Sequence, residues 1–307
     1  MLPDLSIIIV SWNVRDLLRA CLASLPAGDP RVEVIVVDAA SADGTPEMVR
    51  GEFPQVHLVA SPDNLGYTRG NNVGLHAARG RNLLILNPDT EVLGDALARM
   101  QGYLDDHPRV GVVGPRLEWP DGTAQPSRRR FPTLGVAFFD STWVRQWMPR
   151  AWRRYYNVED MPVDETAAVD WVVGAALMVR REAWQQAGDM DEGFFMYSEE
   201  LDWQRRIKAA GWEVVYLPGA RIIHRIGRSA AQVPAATHIR FHTSKVRYFR
   251  KYHGAAAAEM LRWYLLGHFA FQWLLETAKG MLGHKPELRR QRAAAYREVL
   301  RSGLREA

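Results

Sequence analysis

The stretch that decides the fold is residues 5–13, Leu5-Ser6-Ile7-Ile8-Ile9-Val10-Ser11-Trp12-Asn13, an apolar run that ends in a polar Ser-Trp-Asn. A short run of Leu, Ile and Val bounded by turn formers reads as a strand buried on both faces. The pattern recurs at residues 32–37, closed by Asp38, at 56–60, at 82–86, closed by Asn87-Pro88-Asp89, and at 110–113. Amphipathic segments near 15–24, 45–50, 69–78 and 95–106 lie between the runs, each of a length suited to a crossover helix. Strands alternating with helices predict an α/β fold, doubly wound around a mostly parallel sheet.

Beyond residue 114 the pattern changes. Residues 115–162 are broken by Pro, Trp and Arg, including Arg128-Arg129-Arg130 and Trp152-Arg153-Arg154, and read as an irregular insertion or loop. Regularity returns at 170–179, with a helix expected over 198–210 and strands over 213–217 and 221–224 that extend the same sheet. With no internal repeat or low-complexity linker, the expected organisation is one α/β domain over 1–254 and a helical tail over 255–307. The tail holds a 13-residue apolar stretch, 263–275, too short for a bilayer span of about 20 residues. Its aromatics Trp263, Tyr264, Phe269, Phe271 and Trp273, followed by Lys279, Lys285, Arg289, Arg290 and Arg292, suit a membrane interface. A helix packed on the core or against a homodimer partner accounts for them equally.

The 307 residues, 47% hydrophobic and 24% charged, make an ordinary globular chain rather than a disordered one. A single cysteine, Cys21, excludes an intrachain disulfide and suits a reducing compartment. Because the first residues also lack a positively charged segment leading into a long apolar one, a cytoplasmic location is expected. The formal net charge of +4 hides an asymmetry: residues 1–202 carry 19 Lys+Arg against 29 Asp+Glu, and residues 203–307 carry 20 against 6. The later part would be drawn to phosphates or an anionic membrane surface, unless its basic faces are simply solvated. It shows no helix-turn-helix, zinc-finger or aromatic RNA-binding signature, so nucleic acid is not an expected partner.

Ligands of open α/β sheets bind beyond the carboxyl ends of the strands, which is where Ser11, Asn13, Asp38, Asn87 and Asp89 fall. The segment Asn64-Leu65-Gly66-Tyr67-Thr68-Arg69-Gly70-Asn71-Asn72 opens a helix, and its amides with Arg69 are disposed to meet a phosphate. Neither a P-loop nor a dinucleotide fingerprint is present, which excludes ATPase chemistry of that kind and NAD-dependent redox chemistry. Downstream, Phe194-Phe195-Met196-Tyr197-Ser198-Glu199-Glu200-Leu201-Asp202-Trp203 sets three carboxylates beside aromatics. Crowding near apolar surface raises carboxyl pKa values, as a general base for a hydroxyl requires, although an acidic first turn also stabilises a helix.

Six stretches in order now carry a resemblance: Ser11-Trp12-Asn13, the run from Val36 to Thr45, the run from Asn64 to Asn72, Leu86-Asn87-Pro88-Asp89-Thr90, the run from Val173 to Arg181, and Phe194 to Asp202. Together they resemble the family 2 glycosyltransferases, most closely the rhamnosyltransferase-like branch, over about residues 5–253. The resemblance implies a GT-A fold, with residues 1–114 as the nucleotide-sugar half and 115–254 as the acceptor half. It implies an inverting transfer from a nucleoside diphosphate sugar, dTDP-rhamnose in that branch, to a glycan or polyprenyl-linked acceptor in cell-surface polysaccharide synthesis. The protein would then be peripheral on the inner face of the membrane.

Residue by residue, the resemblance puts Asp38 on the nucleoside, with Ser11, Asn13 and Ser41 nearby. It groups Asn64, Gly66, Arg69, Asn71 and Asn87 with the donor site. Asp89 becomes the remaining carboxylate of an Asp-x-Asp motif whose first position is Asn87, binding Mg²⁺ or Mn²⁺. A hard cation there would neutralise the departing diphosphate. His224, followed by Gly227 and Ser229, would approach the same metal. The Glu199-Glu200 pair matches the family's Glu-Asp, which makes Glu200 the first candidate base, with Glu199 and Asp202 as alternatives. Small Gly174 and Ala175 would leave room for sugar or acceptor, or simply pack, and Trp171 and Trp203 would face a sugar or lie in the core. A sugar-phosphate nucleotidyltransferase is the competing enzyme class, although Ser11-Trp12-Asn13 stands where such enzymes carry a basic, glycine-rich loop.

Overall fold

A computed structural model describes residues 2–26, 28–225, 234–283 and 285–305. The chain divides into two compact units: Met1–Phe131, Asn157–Phe195 and Glu199–Ser229 form one, and Pro132–Tyr156, Met196–Ser198 and Ala230–Ala307 the other.

The first unit begins as the apolar runs require. Strands β1 (Leu5–Ser11), β2 (Val32–Ala39), β3 (His57–Ser61) and β4 (Asn82–Leu86) alternate with helices α1 (Arg15–Ala23), α2 (Thr45–Glu52) and α3 (Gly66–Ala77). A short β5 (Thr90–Leu93), helix α4 (Ala96–Asp106) and β6 (Val110–Glu118) follow. All seven residues of β1 are buried, because it pairs in parallel with β2 on one side and β4 on the other and has helices above and below. Leu5, Ile7 and Ile9 pack with Leu18 and Met100 on one face of the sheet, while Ile8 and Val10 pack with Leu75 and Trp203 on the other.

The later strands enter this sheet in both directions. After β7 (Arg128–Arg129), β8 (Ala167–Val169) and β9 (Trp171–Val172) comes β10 (Ala176–Arg180), which inserts antiparallel between β4 and β6. The sheet order is β3-β2-β1-β4-β10-β6-β11-β5, with β8 also on β11. The two strands expected over 213–217 and 221–224 are one, β11 (Glu213–His224), whose register with β6 shifts between Leu217 and Arg221 around Pro218-Gly219.

Residues 115–162 are not the irregular insertion that their composition suggests. They complete β6, form β7 and then helix α5 (Leu134–Phe139), a 3₁₀ turn (Trp143–Trp147) and α6 (Arg150–Tyr156). α5 starts where Thr133 Oγ1 accepts the Val136 amide, a side-chain cap that offsets the absence of a long amphipathic pattern. The first unit is completed by α7 (Arg181–Ala187) and α8 (Glu199–Ala209).

In the second unit, α9 (Pro234–His253), α10 (Ala255–Met281) and α11 (Pro286–Ser302) pack together, and α10 also meets α5. This unit includes α9, which the sequence reading grouped with the first 254 residues. Leu261, Leu265 and Phe269 are the buried face of α10, and the buried Glu276 is held by Arg289 at 2.6 Å. Among the described residues no helix is long and apolar enough to cross a membrane.

Candidate active site

The parallel pairing sets Ser11 opposite Asp38 at the carboxyl ends of β1 and β2. Asp38 Oδ2 accepts the Ser41 amide at 3.0 Å, Ser41 Oγ accepts the Asn13 amide at 2.9 Å, and Asn13 Oδ1 accepts the Ala42 amide at 2.8 Å. These bonds tie two strand-end loops together with Asn13 and Ala40 in the left-handed region, at φ of 51° and 60°. Buried Ser11 Oγ and Asp38 Oδ1 have no protein partner. Leaving such an atom unsatisfied costs about 1–3 kcal/mol, so a pair of them at a strand end marks where a polar ligand would bond.

α3 lies close on the sheet because Gly70 and Gly74 leave no side chain between it and β1. A Cβ on Gly70 would stand 2.8 Å from Val10, and one on Gly74 would run into Ile8. Asn64 Oδ1 accepts the Gly66 amide at 3.0 Å, turning the chain into the helix, and the Tyr67 amide donates to Phe195 O at 3.0 Å. Asn71 is fully buried, donates to Tyr67 O, and leaves its Oδ1 unpartnered beside the unpartnered Thr68 Oγ1 on the same helix. Arg69 is exposed on the first turn.

The carboxylate pair is brought to β4 through β10. The Asn87 amide donates to Ala175 O at 2.9 Å, and the neighbouring Gly174 amide donates to Glu200 Oε1 at 3.4 Å. Gly174 is where it is because a Cβ would meet the Glu200 side chain at 3.2 Å. Its carbonyl accepts the Tyr67 hydroxyl at 2.8 Å. Burial, then the charges of Glu199 and Glu200 and, more weakly, Asp89, push that hydroxyl well above its ordinary pKa, so it remains a neutral donor within electrostatic reach of all three.

α8 opens abruptly on this spot. Tyr197 and Ser198, with φ of 73° and 66°, are consecutive non-glycine residues in the left-handed region, a conformation that costs on the order of 1–3 kcal/mol each and persists only where surroundings enforce it. Glu199 is buried and Glu200 is half-buried, and each leaves Oε2 without a partner. Burial raises both carboxyls above the usual glutamate range, and the charge of Glu200 raises Glu199 further. Asp202 is different: it is fully buried and its Oδ2 accepts Arg206 Nε at 2.9 Å, while Arg206 also donates to Ala187 O and Asp189 O. Gln204, buried one turn on, exchanges two bonds with the Val172 backbone at 2.9 and 2.8 Å and pins α8 to β9.

On the other side of Asn87, Asp89 meets His224 at the end of β11, with 3.5 Å between Oδ1 and Nε2. Gln125 fixes the imidazole. Its Nε2 donates to His224 O at 2.6 Å, so its Oε1 must accept from His224 Nδ1 at 3.1 Å. The Nε2 lone pair then faces a carboxylate oxygen, an arrangement that is repulsive unless a proton or a cation lies between them. Among the described residues no three His, Cys, Asp or Glu side chains converge as a metal cage. The two side chains would offer such a cation one oxygen and one nitrogen ligand. Gly227 and Ser229 lie outside the described residues.

Residues 6–186 match the family described as glycosyl transferase family 2. The chain belongs to that family. This glycosyltransferase is 30% identical over 284 residues to the N-acetylglucosaminyl-diphospho-decaprenol L-rhamnosyltransferase of Mycobacterium tuberculosis, spanning 89% of this chain and 92% of that protein. Two solved structures share its fold. A mannosyltransferase of Pyrobaculum calidifontis in complex with GDP-Man and Mn²⁺ superposes with a TM-score of 0.57 at 20% identity, over 98% of this chain and 86% of that one. GalNAc-T7 with UDP, GalNAc and Mn²⁺ gives 0.54 at 16% identity, over 73% of this chain and 44% of that one. The fold is GT-A, and the nucleotidyltransferase and nucleic-acid readings are not favoured.

Sequence reasoning passed over several residues of this glycosyltransferase that the site depends on. Tyr67 and Asn72 sit inside a motif quoted for its glycines and amides. Asn72 donates to Met190 O and accepts the Met190 amide, both at 3.0 Å, and so anchors the loop leading to Phe195. Gln125 gave no signal, being 99 residues from the histidine it orients. Trp171 and Trp203 are buried, with their indole N–H groups on Arg130 O and Gly188 O, and belong to the core.

Proposed function

We propose that this protein transfers rhamnose from dTDP-rhamnose to an acceptor carried on a polyprenyl diphosphate, with inversion at the anomeric carbon, in the synthesis of a cell-surface polysaccharide. The observation that carries the reading is the chain of hydrogen bonds from Asn87 through Ala175, Gly174 and Tyr67 to Glu200, which links the segment bearing the Asp89–His224 pair to the Glu199–Glu200 pair. The near full-length similarity to an enzyme named for a lipid-linked rhamnosyl transfer supports the choice of donor and acceptor.

In this reading residues 1–114 bind the nucleotide sugar, with Ser11 and Asp38 using their unpartnered oxygens on the nucleoside and Ser41 and Asn13 holding the loops. Asn71, Asn87, Gly66, Asn64 and Arg69 complete the donor half, and residues 115–254 receive the acceptor. Asp89 and His224 would hold Mg²⁺ or Mn²⁺, which supplies positive charge where the diphosphate departs.

Glu200 is the base. Being half-buried, it is the more accessible of the two glutamates, and its raised pKa gives the carboxylate enough basicity to draw a proton from an alcohol. The acceptor hydroxyl loses its proton to Glu200 as its oxygen bonds to the anomeric carbon, and the bond from that carbon to the diphosphate oxygen breaks on the opposite face. Glu199 sets the affinity of the pair for a proton. Asp202, engaged by Arg206, positions α8 and the loop before it.

An enzyme using such a lipid-linked acceptor would work at a membrane surface, and we place it peripherally on the inner face. The test is incubation of the purified protein with labelled dTDP-rhamnose, UDP-sugars and GDP-sugars, with Mg²⁺ or Mn²⁺ and a short-chain N-acetylglucosaminyl diphospholipid. Transfer from dTDP-rhamnose alone, with an inverted linkage by NMR, is expected. Transfer from a UDP- or GDP-hexose in its place would refute the donor, and no turnover with any sugar would refute the assignment.

A further inference from the structure

Residues 141–156, Ser-Thr-Trp-Val-Arg-Gln-Trp-Met-Pro-Arg-Ala-Trp-Arg-Arg-Tyr-Tyr, contain three Trp, two Tyr, four Arg and no carboxylate. Folding does not bury this segment. Trp143, Trp147, Trp152 and Tyr155 are 41%, 59%, 42% and 45% exposed, and all four arginines are exposed. Trp143 stacks edge-on with Trp147 at 5.1 Å and lies 5.2 Å from Phe271 of α10, so the patch continues onto a second element.

On α10 the continuation is a line of residues three or four apart: Met260, Trp263, Gly267, Phe271, Leu274, Ala278 and Met281, every one exposed and none polar. Such a row occupies one face of a helix. The opposite face carries the buried Leu261, Leu265 and Phe269. α10 is thus apolar on both sides, with only one side covered within its own unit, and large exposed patches of this kind mark interaction sites.

We infer that residues 141–156 and the exposed row of α10 form a docking surface for an anionic lipid bilayer. Trp and Tyr favour the headgroup level, where one end of the ring is wet and the other apolar, and arginine beside them pairs with lipid phosphate. The charge pattern favours lipid over a second copy. In a two-fold dimer this face would meet itself and bring its arginines together with no carboxylate between residues 141 and 156 to offset them. Bilayer binding of this face places the enzyme where a lipid-linked acceptor would be. That rationale leans on the proposed function, but the binding does not require donor or acceptor and is measured without them.

The test is flotation of the full chain with neutral phosphatidylcholine vesicles and with vesicles containing 30% phosphatidylglycerol, in roughly 0.1 M salt where exposed charges still act over about 10 Å. Preferential flotation with the anionic vesicles is expected. The variants Trp143→Ser/Trp147→Ser/Phe271→Ser and Arg145→Glu/Arg150→Glu should each lower partitioning at least tenfold, given about fivefold per basic residue near a charged surface. Circular dichroism melts identify any variant that is merely unfolded, and single substitutions then replace it. Equal binding to both vesicle types, undiminished binding by the variants, or a dimer in sedimentation velocity that the aromatic variant dissociates without any vesicle binding would each overturn the inference. Transfer to a water-soluble acceptor, measured in parallel, reports on the proposed function separately.

Discussion

The first turn of α8 and residues 141–156 are both crowds of like charge, and the fold treats them in opposite ways. Glu199 and Glu200 are drawn inward at a strand end with unpartnered oxygens and raised proton affinity. The arginines of 141–156 stay in solvent among exposed tryptophans. Burial converts a charge into a chemical tool by making its ionisation costly, whereas exposure leaves it a long-range attractor. Asp202 supplies the control within the buried set: it is the most buried of the three, yet Arg206 neutralises it.

Removing the tool should have the largest effect. Glu200→Gln is expected to lower kcat by about 10²–10⁴-fold, with donor affinity from dTDP-rhamnose titration nearly unchanged. Asp89→Ala should cost on the order of 10²–10³-fold, as loss of charge stabilisation does elsewhere, and should also abolish the dependence of turnover on added Mg²⁺ or Mn²⁺. Asp202→Ala should act on stability instead. Leaving Arg206 without its carboxylate in a largely buried position should cost about 3 kcal/mol, seen as a lower urea midpoint. If Asp202→Ala left stability intact and abolished proton transfer, the contrast drawn between it and the glutamates would fail.

A subtler effect follows from the pair. The base works only when ionised, so a raised pKa moves the acid limb of the kcat/KM profile to higher pH, with activity lost as pH falls through it. The charge of Glu200 raises Glu199, and coupling is mutual. Glu199→Gln should therefore shift the acid limb to lower pH while keeping most of the plateau rate. An unshifted limb would mean that the two glutamates do not titrate together.

Much of this was legible beforehand. Strands β1, β2, β3, β4 and β6 announced themselves as short apolar runs, and a strand covered on both faces admits little else, whereas β5, Thr-Glu-Val-Leu, carries no such run and was not foreseen. The helices over 115–162 were not, since α5, the 3₁₀ turn and α6 are short and rest on caps and local aromatic contacts rather than on a repeating pattern. The antiparallel insertion of β10 was equally hidden, because strand direction leaves no mark on composition. That insertion carries Ala175 to Asn87 and Gly174 to Glu200, and so ties the carboxylate pair to the end of β4.

By itself the sequence determined which residue types stand at the strand ends, that three carboxylates crowd the first turn of a helix, and that basic and aromatic residues gather late in the chain. Only the tertiary structure decided which carboxylate was neutralised by Arg206, which histidine nitrogen faced Asp89, and which face of α10 stayed uncovered. The reason is physical. Residue identity fixes what a side chain can donate, accept or carry, but burial and partners separated by tens of residues fix its protonation and orientation, and those exist only once the chain is folded.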